Sequence, residues 1–359
     1  MTSRRSSTVK ILGAGVSGLT AAINLAMEGV GVEVYERRSG SGCRAKGDLQ
    51  GLENWTSPTD VLSFLRSVNI PPDFPYEPFN ECQHYDHNLR EYSMRSRSVG
   101  FYLVRRGAMP GTLDHYLVEL ARAHGVNVHY NATQEAGNVD VIATGCRDPF
   151  LIAKGINFET NLEKAALAIF DDRIAPFGYA YLVGSHGLGT IAVVSKAGVR
   201  GLHGYLDAAI ERFRHLVAFD IREPIAFGGV GGRYRRLGRG TPRVGEAGGF
   251  QDAMWGFGLR MAFQTGYLAA RSIVHGEDYW DLVQKQVVPL CRSSVVNRMT
   301  YDLLRTKRYA HILSSLAKSP DPVARANRLY APVPAKLLLY PFASVLIDRR
   351  RFGGRHKPS

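Results

Sequence analysis

The residues best placed to do chemistry come early in the chain. Gly13, Gly15 and Gly18 stand in the spacing Gly-x-Gly-x-x-Gly, and Glu36 follows them. That set suits a dinucleotide. The first glycine permits a tight turn, the second lets the backbone approach a pyrophosphate, and the third lets a helix pack closely on a strand. A helix that starts in such a loop offers free N–H groups and partial positive charge to phosphates. An acid roughly 20 residues beyond the glycines accepts hydrogen bonds from the ribose hydroxyls. Glu36 meets that spacing, and its charge would repel a 2′-phosphate, which argues against NADP here. Arg37 is the next residue and joins the same candidate site.

The elements that must position these residues are legible around them. Val9-Lys10-Ile11-Leu12 is a short buried strand running into the glycine loop. Leu19, Ala22, Ile23 and Ala26 then recur at helical spacing, and Gly29 supplies a stop. Residues 30–35 form a second strand that ends on Glu36. Strand, loop, helix, strand and acid agree, which a lone glycine motif does not offer.

Three later stretches bear on which dinucleotide is held, and all favour FAD. Residues 139–145, Val-Asp-Val-Ile-Ala-Thr-Gly, form a strand whose end, Thr144 and Gly145, lies by the cofactor in flavoproteins of this build. A strand then ends on Gly245-Glu246, and a glycine-rich loop with Gly256 and Gly258 opens a helix carrying Leu259, Ala262, Phe263, Gly266 and Ala270. Glu246 can accept from a ribityl hydroxyl. The N–H groups of residues 256–259 can face the polar edge of an isoalloxazine ring. Finally, Arg105-Arg106 precedes a helix with Leu113, Leu117, Leu120 and Ala121 on one face. Arg106 is preferred to Arg105 as the cofactor contact. Arg44, in a glycine-rich loop after Glu36, is another contact or a solvated surface charge.

The stretch from Gly245 to Ala270 resembles the Gly-Asp-Ala-Ala-Gly-Phe…Pro-Leu-Thr-Gly-Glu-Gly-Ile pattern of geranylgeranyl reductase-like flavoproteins, within the wider p-hydroxybenzoate hydroxylase group. The order of parts matches over most of residues 9–275. The resemblance implies FAD at Gly13, Gly15, Gly18, Glu36, Gly245 and Glu246. It also implies an α/β fold: a Rossmann-type FAD-binding domain, an inserted antiparallel β-sheet substrate domain and a C-terminal helical segment. The expected boundaries are 1–70, 100–160 and 235–278 for the FAD-binding domain, 71–99 and 161–234 for the substrate domain, and 279–359 for the helical segment. Glu246 replaces the family aspartate, Ala253 the proline, and Trp255 and Phe257 the threonine and glutamate. Those loop residues face the reaction site, so the changes bear on substrate more than on cofactor.

Within the substrate half, Gly184 to Gly187 turns one strand into the next, giving an antiparallel sheet. Residues 225–234 are expected to return to the nucleotide domain. Pro176-Phe177-Gly178-Tyr179-Ala180-Tyr181 resembles the Pro-x-x-Tyr-x-Trp-x-Phe-Pro signature of geranylgeranyl reductases, with Tyr181 in the tryptophan position and Leu182-Val183 in place of Phe-Pro. Tyr179, Tyr181, Trp255 and Phe257 are the pocket candidates. Alternating aromatics on a strand also serve as plain core packing. Cys82, His84 and His87 lie close together, but no partner cluster completes a zinc set, so they are expected in a loop with no metal.

The 359 residues are 45% hydrophobic, enough for a large core. Four scattered cysteines without Cys-x-x-Cys point to free thiols and a cytoplasmic setting. No Gly-x-Ser-x-Gly, His-Glu-x-x-His or P-loop lysine motif occurs, which argues against hydrolase, zinc protease and NTPase chemistry. The net charge of +13 suits anionic cofactors, acidic proteins or anionic lipid, and specific nucleic-acid binding is not expected. Beyond residue 279 the pattern is helical, with Arg292, Arg298, Arg305 and Arg308. An apolar stretch at 337–347 then precedes Arg349-Arg350-Arg351, Arg355 and Lys357, an order that fits a peripheral membrane contact or a helix docked on the core.

The function expected is an FAD-dependent oxidoreductase that reduces or dehydrogenates a carbon–carbon double bond of an isoprenoid-like or other lipid. NAD(P)H or a ferredoxin would donate electrons. A flavin monooxygenase, or a flavoprotein that uses FAD without net redox turnover, stays open. No catalytic acid or base stands out.

Overall fold

The computed structural model describes residues 8–235, 239–304 and 309–349. A parallel four-stranded sheet carries the glycine loop, in the order Asn127–Tyr130, Val32–Glu36, Val9–Leu12, Val141–Ile142. One face carries only the small cluster of Leu12, Val139 and Ile142, whereas Ile11, Val34 and Val141 on the other are fully buried under helices. Helices Val16–Met27, Leu113–Ala123 and Leu259–His275 supply the cover. Thr112 caps the second of these, its hydroxyl accepting from the His115 N–H at 3.3 Å. The strand expected before Gly245-Glu246 shrinks to one bridge between Ile142 and Arg243, because Gly245 turns the chain into a short 3-10 turn.

A seven-stranded sheet forms the cap, in the order Arg222–Gly231, Leu151–Glu159, Leu188–Lys196, Tyr179–Ser185, Lys164–Ile169, Glu81–Tyr85, Glu91–Arg95. Neighbours are antiparallel except Lys164–Ile169 against Glu81–Tyr85. Strand Tyr179–Ser185 alternates. Ala180 and Leu182 are fully buried with Leu206, Ala209 and Phe213 of helix Leu202–Arg214, while Tyr179 and Tyr181 point to the opposite side. One boundary, and the expected return of residues 225–234, differ from the sequence reading. Leu151–Glu159 lies in the cap rather than the nucleotide domain, since it pairs along its length with Leu188–Lys196 and Arg222–Gly231. The latter strand therefore stays in the cap and does not return. A small antiparallel sheet, Leu49–Glu53, Phe101–Arg105, Tyr76–Phe79, joins the two parts.

The C-terminal helices Tyr279–Gln286, Val288–Leu304, Tyr309–Ala317, Pro322–Tyr330 and Pro334–Arg349 are wired into both parts. Buried Asp302 accepts from Lys196 of the cap and from Arg298 at 3.0 Å. Arg298 also donates to the carbonyls of Met254 (3.0 Å) and Phe177. Tyr301 donates to the Gly178 carbonyl at 2.5 Å. Phe177 itself sits at φ +57, a costly backbone for a bulky residue, and these bonds hold it there. Arg305, Arg308 and residues 350–359 lie outside the described residues.

The tightest helix contact is testable. A Cβ on Gly266 would meet the Ser17 carbonyl oxygen at 2.3 Å. Gly266→Val is expected to lower unfolding stability by about 2 kcal/mol or more through overpacking, measured by urea denaturation; an unchanged midpoint would show that the two helices are not locked together.

Candidate cofactor and substrate site

The glycine loop divides by what each missing side chain makes room for. Gly13 adopts φ +108, and a Cβ there would lie 2.4 Å from the Ala143 oxygen. A Cβ on Gly18 would lie 2.1 Å from the Gly13 oxygen. Both glycines are demanded by the protein's own packing. Gly15 is not: a Cβ there meets no protein atom within 4 Å, and the residue lines the large cavity. Its bare backbone keeps open a space in front of the helix N-terminus, which is what a pyrophosphate needs. Glu36 stands at the adjacent strand end, its carboxylate accepting from the N–H groups of Ala14 (3.0 Å) and Arg38 (2.9 Å). These bonds fix it at the cavity wall beside Arg37.

Thr144, Gly145, Arg44, Arg106 and Glu246 line the same cavity. Arg44 approaches Glu246 at 3.6 Å. Burial raises the Glu246 carboxyl, and Arg44 and Arg106 work against that rise. Arg106 is held from behind. It donates twice to Asp114, at 2.7 and 2.8 Å, and once to Gln50 at 2.8 Å. Burial alone would lower the guanidinium, but the Asp114 carboxylate outweighs it and keeps the group charged. Arg106, the preferred arginine, lines the cavity; Arg105 does not. Sequence reasoning missed Asp114 and Gln50. The signal for Asp114 was an acid in the first turn of a helix capped by Thr112.

The N-terminus of helix Leu259–His275 enters the same space through Gly256, Phe257, Gly258 and Leu259. Gln251 braces that loop, donating to the Gly256 carbonyl (2.6 Å) and accepting from the Gly232 N–H (2.7 Å). Asp252 accepts from the N–H groups of Met254 and Trp255 and from the Tyr330 hydroxyl. Arg260 ties the first turn to the Glu53 and Thr59 carbonyls. The Glu53 carboxyl beside it is buried, which pushes it up to about 7, against the pull of Arg260.

Beyond the loop of Gly256 to Gly258 the cavity continues between the cap sheet and the C-terminal helices, for about 1500 Å³ in all. A single ligand site commonly occupies roughly 300–1,000 Å³, so a second molecule fits beside a dinucleotide. All four pocket candidates line it, in two groups. Tyr179 donates to the Trp255 carbonyl at 2.7 Å, the two rings stand edge to face, and Tyr181 lies 6.1 Å from Tyr179. Phe257 instead meets Trp55, with centroids 4.6 Å apart. Cys82 and His84 are on strand Glu81–Tyr85, not in a loop, and both line the cavity. Burial lowers His84 to about 4, so its imidazole is neutral. Among the described residues no three metal-ligating side chains gather.

Comparison with known proteins agrees with this geometry. The NAD(P)-binding Rossmann-like domain family matches residues 11–50. No curated protein matches the sequence. Among solved structures, a geranylgeranyl bacteriochlorophyll reductase-like protein from Thermoplasma acidophilum superposes with a TM-score of 0.67 at 16% identity, covering 96% of this chain and 99% of that one. A flavin-dependent brominase gives 0.66 at 14% identity, covering 96% and 100%. The p-nitrophenol 4-monooxygenase of Pseudomonas putida gives 0.57 at 16%, covering 98% and 100%. The chain shares its overall fold with these flavoproteins. In this chain the glycine loop, Glu36 and the loop before helix Leu259–His275 share one cavity.

Two predictions follow from this geometry. Gly15→Val is expected to abolish retention of a dinucleotide while leaving the unfolding midpoint of the nucleotide-free protein within about 1 kcal/mol of the parent; nucleotide released on denaturation, set beside a melting curve, checks it. Glu53 carries a pH signature. Its folded value, about 7, lies above the ordinary 4.5, so its contribution to stability is complete below pH 4.5 and is lost as pH rises through 7. Relative to wild type, Glu53→Gln should gain about 3 kcal/mol between those limits; parallel denaturation curves across that range would contradict the assignment if they kept a constant offset.

Proposed function

We propose that the protein is an FAD-dependent oxidoreductase that reduces, or in reverse dehydrogenates, a carbon–carbon double bond of an isoprenoid-like or other lipid. One observation carries the reading: a single cavity runs from the glycine loop to an aromatic-walled chamber under the C-terminal helices. FAD bound there supplies two-electron transfer. Gly15 and the N-terminus of helix Val16–Met27 would hold its pyrophosphate, Glu36 and Arg37 its adenosine side, and Gly145, Gly245, Glu246, Arg44 and Arg106 its ribityl side. The N–H groups at Phe257 to Leu259 would face the ring's polar edge and stabilise negative charge on it, while that of Gly256, expected to join them, instead donates to the Asp252 carbonyl at 3.0 Å.

The chamber does the rest by position and exclusion. Tyr179, Tyr181 and Trp255 offer flat apolar surface to an alkene, and Phe257 with Trp55 walls the opposite side. Burial raises the hydroxyls of Tyr179 and Tyr181, which leaves them protonated and makes them hydrogen-bond donors rather than bases. The apolar lining supports a hydrocarbon substrate, and the fold shared with a geranylgeranyl bacteriochlorophyll reductase-like protein supports the same reading. Electrons come from NAD(P)H or from a ferredoxin; the net charge of +13 favours an acidic donor protein.

The fold shared with a p-nitrophenol 4-monooxygenase keeps oxygen chemistry as the second reading. The two are separated by mixing anaerobically reduced protein with a prenyl lipid. Reoxidation of the flavin with formation of the saturated product is expected. Absence of reoxidation by any prenyl lipid, with oxygen-dependent hydroxylation of a phenol, would replace the reductase with the monooxygenase.

A further inference from the structure

We propose that the outer face of the last two helices is a docking surface for an anionic phospholipid bilayer, placed so that the distal end of the cavity opens onto it. The inference deepens the lipid-substrate reading and rests on it for its purpose, though not for its test. Helices Pro322–Tyr330 and Pro334–Arg349 meet at a bend of 69°. The second helix is apolar on two sides. Its inner side carries Ala343 and Ile347, fully buried with Val295, Val296 and Met299. Its outer side carries Leu338, 82% exposed, and Phe342, 63% exposed, with Leu339 and Val345 on the same face. Leu329 and Val333 extend that face across the bend. These six are the majority of the eleven exposed large apolar side chains among the described residues, so the patch is a concentration and not a scatter.

The chain keeps charge out of this face and gathers it at the ends. Between Leu329 and Ile347 the only charged residue is Lys336. Its ammonium is turned inward, onto the Leu329 carbonyl and, at 3.1 Å, the Ser293 hydroxyl. At one end stands exposed Arg328. At the other, the sequence continues Arg349-Arg350-Arg351 and then Arg355 and Lys357, with no acid after Asp348. Asp348 is itself engaged by Arg233 and Arg235. An apolar stripe bracketed by cations complements the acyl boundary and headgroups of an anionic leaflet. The same bracket disfavours a second copy of the chain, since a two-fold contact through this face would bring like charges together.

The patch also sits at an opening. Leu329 is at once 46% exposed and part of the cavity wall, and Lys336 lines the cavity beside it. A long apolar molecule could therefore pass from the bilayer to the aromatic chamber without crossing water. The contact is interfacial: among the described residues no single helix is long and apolar enough to cross a membrane, and although the two helices together have the length and composition of a broken span, the buried side of Pro334–Arg349 is committed to the protein core.

The test is flotation of the full-length protein with vesicles, which requires no turnover and so fails independently of the reductase reading. Phosphatidylcholine vesicles are compared with vesicles containing added phosphatidylglycerol. The wild type is expected to bind the anionic vesicles, less at raised salt, and Leu338→Glu/Phe342→Glu to bind them about tenfold more weakly. Both side chains face solvent, so the variant should keep the parent melting temperature. Arg350→Glu/Arg351→Glu should lose the preference for anionic over neutral vesicles. Absence of binding by the wild type, or equal binding by the apolar-face variant, would overturn the proposal. So would a lipid-free dimer that Leu338→Glu/Phe342→Glu dissociates, in a protein that ignores vesicles; the face would then belong to a second copy.

Discussion

Helices Val16–Met27 and Leu259–His275 approach until the Ser17 carbonyl oxygen lies 2.3 Å from where a Cβ of Gly266 would stand, and the Ser17 hydroxyl 2.7 Å from where a Cβ of Gly245 would stand. Side chains are absent at these points because there is no space for them. The consequence is geometric. In the proposed reading one helix would aim its N-terminus at the phosphate and the other at the ring, and the contact fixes the separation of the two helices. Thr265 adds a bond from its hydroxyl to the Gly245 N–H at 2.8 Å, which holds the turn carrying Glu246 against the same pair. A cofactor of fixed length needs two fixed ends, and this contact would set them.

The substrate end depends on a different device. Lys196, Arg298 and Asp302 are buried, and moving such polar, ionisable side chains out of water is costly. The cost is offset because each finds partners in a different part of the molecule: a cap strand, the helix Val288–Leu304 and the carbonyls of Met254 and Phe177. The network therefore registers the cap and the loop before helix Leu259–His275 to the C-terminal helices. Tyr330 does the same through Asp252. The aromatic chamber exists only while those three parts stay in register, so the C-terminal helices belong to the site and are not an appendage.

The nucleotide half was legible because its signals are local. Glycine at 13, 15 and 18 and an acid at 36 report backbone shape and charge within one strand–helix–strand unit. The cap was legible as an antiparallel sheet, but its edges were not. Leu151–Glu159 has the apolar alternation of any half-buried strand, and nothing in it says that its partners lie at 188–196 and 222–231. Cys82 and His84 looked like loop residues because a polar strand whose inner face lines a cavity lacks the usual apolar pattern. Arg106 was identified but its holders, Asp114 and Gln50, were not, since pairing across 8 and 56 residues is a property of the fold. Arg298 read as one of several arginines in a helical segment, and burial of an arginine is a fact only packing reveals.

The central claim is that the cavity is built around FAD. The most direct measurement is to denature the purified full-length protein and identify and count the released cofactor by mass and absorbance. The account predicts close to one FAD per chain, after purification or after incubation with added FAD. Release of NAD in its place, or a protein that stays colourless and takes up no FAD, would contradict it.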